Sequence, residues 1–167
     1  MSPATAINVS TLAIITILLA LQIRSFIKAG KDPRILLPGI GGTLVGSTLT
    51  LCAGGALGTI AAWIAGGGNS VSVIAPWATG TGDRALASSA PGGLTMEGGL
   101  IALTVAALGW VAIREAAKTS RLRLLGGLFV GACLTYTGGF GGLVADTQVP
   151  LYNDLGAQLI TYVESTF

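Results

Sequence analysis

The stretch GGTLVGSTLTLCAG, Gly41–Gly54, decides the reading of this chain, because GGLFVGACLTYTGG at Gly126–Gly139 repeats it. Seven of the fourteen aligned positions are identical: Gly41, Gly42, Val45, Gly46, Leu49, Thr50 and Gly54 return as Gly126, Gly127, Val130, Gly131, Leu134, Thr135 and Gly139. Neither copy carries a charge, and both place glycines four apart. In a bilayer, apolar side chains do not drive helices together, whereas small residues let two backbones approach closely. Upstream, Ile23-Arg24-x-x-x-Lys28 matches Ile113-Arg114-x-x-x-Lys118, with a loop five residues longer in the first half. The repeating unit is therefore a helical hairpin around a basic turn. Two such hairpins in tandem keep one orientation, a parallel repeat rather than the inverted repeat of many secondary transporters.

Composition agrees with a membrane setting. The 167 residues are 51% hydrophobic and 10% charged, with a mean hydropathy of +0.77. A soluble domain carries roughly 25% charge. A hydrocarbon core of ~30 Å needs about 20 apolar residues in a helix. Four stretches meet or approach that length: Ala4–Ile23, the run opening at Ile35, Gly98–Ile113 and Leu124–Ala145. The second run has no charge until Asp83, and Gly66-Gly67-Gly68-Asn69 is a stop signal soon after Ile64. The fold expected is all-α and polytopic. The first hairpin occupies 1–66, with helices at about 6–27 and 35–64, and the second occupies 96–145, with helices at about 96–114 and 123–145. An outer Gly- and Ser-rich loop, 67–95, joins them, and within it Val71–Ile74 reads as a short strand or an interfacial turn. A tail at 150–167 repeats Leu151, Leu155, Leu159 and Tyr162 or Val163 at helical spacing, and so forms an amphipathic helix.

Charge placement gives the topology. Arg24, Lys28, Lys31 and Arg34 lie between the first two helices, and Arg114, Lys118, Arg121 and Arg123 lie between the last two. Eight of nine basic residues thus fall in two short loops, and only Arg84 lies in the long one. Short loops rich in Lys and Arg stay cytoplasmic. Both termini and the 67–95 loop are then outside, in a multi-pass protein of the cell membrane. The N-terminus has no basic residue before Ala4–Ile23, which reads as a retained helix rather than a signal peptide. Trp63 and Trp77 sit where an indole would anchor at the outer surface.

Several chemistries are ruled out. The chain has no histidine, so histidine acid–base catalysis and histidine metal ligation are unavailable. Cys52 and Cys133 lie in apolar runs with no C-x-x-C, which gives no metal signal. The net charge of +2 is too small to argue for specific nucleic acid binding. No charge falls at an expected midplane, where ion and proton pathways usually show one. The glycine-rich stretches lack the Lys-Ser or Lys-Thr of a phosphate loop. A non-catalytic protein is expected, with no cofactor beyond structural lipid.

The residues with work to do are the small ones. Gly42/Gly46, Gly54/Gly58, Gly127/Gly131 and Gly138/Gly142 all fit G-x-x-x-G, and their faces should be helix–helix interfaces. They can pair helix two with helix four inside one chain, or pair separate copies, and both uses are expected. Ser47, Thr48, Thr50, Thr135 and Thr137 put hydroxyls beside them. Such hydroxyls either bond back to a carbonyl one turn earlier or line a polar seam. Tyr136, in their midst, needs a hydrogen-bond partner.

Each half, two Gly- and Ala-rich helices around a basic turn, resembles the hairpin of conjugative pilins of the type IV secretion kind. That resemblance implies subunits stored in the membrane and extracted with lipid into a filament. The basic turns, Arg24 to Arg34 and Arg114 to Arg123, would then face the lumen. The chain departs from that family in being doubled and in its large outer loop, and a retained first helix is expected in place of the long cleaved leader. The function expected is self-assembly in or from the membrane, as a pilin-like or transfer component of a mobile element. Two other readings fit the composition. One is a holin-like or small channel-forming pore, for which the hydroxyl seam would serve. The other is an accessory subunit of a larger membrane complex, with the tail docked outside.

Overall fold

The computed structural model describes residues 7–52, 57, 59–61, 63–64, 85–86, 93–135 and 138–166. Most of these are helical, and one small antiparallel pairing joins β1 (Ile7–Asn8) to β2 (Ala85–Leu86). Helix α1 runs Val9–Lys28. It stops where Gly30 and Lys31 both turn to positive φ, at 68° and 64°. The Lys31 N–H then bonds back to the Phe26 carbonyl at 3.0 Å, a closure that satisfies a helix's last acceptors. Asp32 restarts the chain. Its carboxylate accepts the Arg34 N–H at 2.9 Å, ahead of a 3₁₀ turn at Pro33–Ile35. Helix α2 follows at Leu37–Leu51.

Helix α3 spans Met96–Glu115, and the Thr95 hydroxyl accepts the Gly98 N–H at its start. Helix α4 spans Lys118–Thr135, and α5 spans Gly138–Thr166. The α3–α4 corner is closed by Arg121, whose guanidinium donates to the Ile113 and Arg114 carbonyls at 2.8 and 2.7 Å. Helices α2 and α4 form the centre and lie against each other over most of their length. The first helix of each expected hairpin packs on the second helix of the other, α1 on α4 and α3 on α2. Helix α5 packs on the N-terminal part of α3. Two apolar clusters fill the gaps. One joins Ile15 of α1 to Val130 and Cys133 of α4. The other joins Leu51, Ala102, Val144, Val149 and Tyr152.

Several expected boundaries move. The helix expected over 35–64 is interrupted: α2 ends at Leu51, where Cys52 leaves helical backbone at φ −77°, ψ 80°, and residues 57, 59–61 and 63–64 are helical again. The glycine pair Gly54-Gly55 follows at once, and glycine costs about 1 kcal/mol in a helix interior relative to alanine. The helix expected over 123–145 begins at Lys118 and ends at Thr135. The tail is not a separate helix from 150 onward, because α5 runs unbroken through Pro150. Proline removes one backbone hydrogen bond and crowds the preceding turn. The helix holds because Val149 and Tyr152, on either side, are both buried against the bundle. Among the described residues, two segments are long and apolar enough to cross a membrane, Pro33–Leu51 and Met96–Glu115, where four were expected of the whole chain. Helix α4 falls short because its 18 residues include Lys118, Arg121 and Arg123. The segment Val71–Ile74, Trp77, and Tyr136 and Thr137 lie outside the described residues.

Candidate functional site

The centre of the molecule is a seam without side chains. On α2, Gly42 and Gly46 face α4, and on α4, Gly127 and Gly131 face α2. A Cβ added to Gly42 would strike the Leu124 carbonyl oxygen and come within 2.8 Å of the Leu128 nitrogen. One added to Gly127 would strike the Gly39 carbonyl oxygen and come within 3.0 Å of the Thr43 nitrogen. At Gly46 the obstacle is the Leu128 carbonyl oxygen, and at Gly131 it is the Thr43 carbonyl oxygen. These contacts are reciprocal. Gly42 and Gly127, Gly39 and Leu124, Thr43 and Leu128, and Gly46 and Gly131 each stand 85 positions apart. Exchanging the members of each pair turns one helix's contacts into the other's. Such self-complementarity is the mark of a twofold interface. Here it lies within one chain, between two parallel helices. Carbonyls lie against the facing α-carbons, the arrangement in which Cα–H···O contacts recur at helix interfaces.

The other glycines of the sequence pattern divide. Gly54 and Gly58 lie outside the described residues. Gly138 opens α5. Gly142 is half-buried, yet nothing lies within 4 Å of where its Cβ would be.

Four close approaches carry no four-residue spacing. Gly39 precedes Gly42 by three residues on the same α2 face and receives the Gln22 side chain of α1. That proximity was a usable signal. Gly109 on α3 receives Val45. Gly156 on α5 lies against the Glu97 backbone, and Gly98 receives the Asn153 side chain. Asn153 also ties α5 to the start of α3. Its Oδ1 accepts the Thr95 N–H at 2.9 Å and the Thr95 hydroxyl at 3.2 Å, while its Nδ2 donates to the Gly93 carbonyl at 3.1 Å. Single glycines and a lone asparagine give no sequence signal of this kind.

The buried hydroxyls are engaged. Thr48 donates to the Leu44 carbonyl at 2.7 Å and stands 2.8 Å from the Tyr152 hydroxyl. Thr50 donates to the Ser47 carbonyl at 2.6 Å, and Thr135 to the Gly131 carbonyl at 2.7 Å. Ser47 bonds the Leu44 carbonyl and also the Gln148 side-chain amide, so two polar pairs fasten α5 to α2. Among the described residues, no buried side-chain nitrogen or oxygen lacks a partner.

The basic residues gather at one end. The end of α1 meets the start of α2 where Gln22 reaches Gly39, and the start of α4 lies alongside where Gly127 faces Gly39. Arg121 fastens the end of α3 to the same place. Arg24, Lys28, Lys31, Arg34, Arg114, Lys118 and Arg121 are exposed there, and Arg123 is half-buried. Arg114 sits over the Trp110 ring, 5.3 Å from its centroid. No protein family, curated protein or solved structure matches the chain.

Proposed function

We propose that the chain is a non-catalytic integral membrane protein of two tandem hairpins. Its glycine seam joins the hairpins into one unit, and the units assemble further through other surfaces. The observation that carries this reading is the parallel pairing of α2 with α4, which brings eight basic residues to one end. A bilayer sorts loops by that asymmetry, with Lys and Arg inside, so both termini fall outside. The spans would be α1, Pro33–Leu51, Met96–Glu115, and a fourth shared by α4 and the first turns of α5. Large apolar side chains remain exposed after the seam closes, among them Ile17, Leu21 and Ile27 on α1 and Leu103, Leu108 and Trp110 on α3. In a bilayer these meet lipid or a neighbouring unit. Because Gly42, Gly46, Gly127 and Gly131 are consumed within the chain, assembly falls to these outer faces. A filament of such units is the pilin-like form of the proposal, and transfer by a mobile element is its broadest setting.

The test is particle mass by light scattering after mild detergent extraction, with electron microscopy of the same fraction. A large symmetric ring or a filament supports assembly. A monodisperse single chain overturns it and makes a hetero-complex with a membrane partner the leading reading.

A further inference from the structure

The far end of α5 leaves the bundle. Val149, Tyr152, Asn153 and Gly156 hold the helix to the first turns of α3 and to α2. Beyond Gly156, every described residue except Ile160 is exposed. Ten further residues to Thr166 project roughly 15 Å at 1.5 Å per residue. They do not project as a polar tail. Leu151, Leu155, Leu159, Tyr162 and Val163 are between 43 and 70% exposed. At 100° per residue they form a lane beside the docked face. Asp154, Gln158, Thr161 and Ser165 occupy the other side and are exposed as well.

We infer that this lane rests on the bilayer at the outer headgroup level, as an interfacial arm held by Asn153 and Gly156. The inference depends on the membrane reading above. Three observations choose lipid over a second copy or a soluble partner. First, the arm starts at the end of Met96–Glu115 away from Arg114, which is the outer rim of an apolar span. The bundle therefore delivers the lane to the interface, continuous with the exposed apolar residues Leu100 and Leu103 near that end of α3. Second, Tyr162 lies on the lane, and an amphipathic ring favours that depth. Third, α5 carries Asp146, Asp154 and Glu164 and no basic residue. Two copies of the helix would repel, and the surface favoured is neutral lipid, whereas polybasic arms bind anionic lipid.

The test uses the full chain in phosphatidylcholine vesicles, with single nitroxide-labelled cysteines in a Cys52→Ala, Cys133→Ala background. Accessibility is read with oxygen, which partitions into lipid, and with a water-soluble nickel chelate. The expected result is oxygen accessibility at Leu155→Cys, Leu159→Cys and Val163→Cys and nickel accessibility at Gln158→Cys and Thr161→Cys. Adding phosphatidylglycerol should not strengthen the contrast. Leu103→Cys and Leu108→Cys on α3 serve as reference. If they are oxygen-accessible while all the arm positions see nickel, the membrane reading stands and the arm inference falls. If the α3 positions also see nickel, the membrane reading falls with it. Lane positions shielded from both reagents, with spin–spin broadening lost on dilution by unlabelled chain, would assign the lane to a second copy and overturn the inference. Should the cysteine-free background not fold, the labels go into the native chain. Cys133 is fully buried there, and signals are taken as differences from the unsubstituted protein.

Discussion

A single added methyl group separates two neighbouring glycines. Gly42 has the Leu124 and Leu128 backbones against it, whereas nothing lies within 4 Å of a Cβ at Gly41. Gly42→Ala should destabilise by about 1–3 kcal/mol, the cost of overpacking against atoms that cannot turn aside. Gly41→Ala should be neutral or gain up to ~1 kcal/mol from helix propensity. Unfolding equilibria in mixed micelles, followed by circular dichroism, read both, and equal effects would deny the seam. Asn153→Ala removes two accepted bonds and one donated bond at the start of α3. It should cost about 0.5–1.5 kcal/mol, the net worth of a typical intramolecular hydrogen bond, since water can reach the exposed Thr95 N–H. Asn153→Asp, which keeps the acceptor, should cost less in the same assay. The seam glycines were legible because spacing four places them on one face. Asn153, Gly98 and Gly156 were not, because an isolated close approach leaves no period to read.

At the scale of elements, the tail expected to start at 150 is the boundary that fails. Pro150 reads as a boundary, yet α5 continues through it, since burial of Val149 and Tyr152 outweighs a local penalty. Pro150→Ala should therefore stabilise the protein, by up to about 3 kcal/mol if the helix keeps its course. A loss of thermal stability would mean that the proline shapes the approach of α5 to α3. The early end of α2 at Leu51 was hidden for the opposite reason. Hydropathy stays high past Cys52, and no charge or proline marks the change of backbone. The positions of α1 and α3 were legible from charge-free runs ending in basic residues, because a helix stops near where its apolar run stops.

For the whole molecule, the internal twofold makes a sharper demand than either hairpin alone. Thr43 and Leu128 occupy equivalent places on the two sides of the seam. The exchange Thr43→Leu with Leu128→Thr should cost less than the sum of the two single changes, with a coupling of about 0.5–3 kcal/mol. Strict additivity would argue that the two sides are not equivalent. Sidedness tests the proposed topology. In oriented vesicles, an impermeant maleimide should reach Lys31→Cys and Lys118→Cys from one face and Arg84→Cys from the other. Labelling of the first two from opposite faces would overturn the parallel arrangement in the membrane. The parallel order was legible in the sequence, because two matching hairpins in tandem must point the same way. Which faces of the bundle the proposed assembly would use was not, because an exposed leucine reads alike against lipid and against protein.

The seam also sets a clock. The glycine face of α2 leaves the ribosome 85 residues before its mate on α4. At ~5–20 residues per second that is roughly 4–17 s. Throughout that interval the glycine face of α2 stands without its partner, and the α2 of a neighbouring nascent chain offers the same Gly42 and Gly46. Closure within one chain therefore waits on synthesis of the second half, a kinetic condition that equilibrium affinity does not contain.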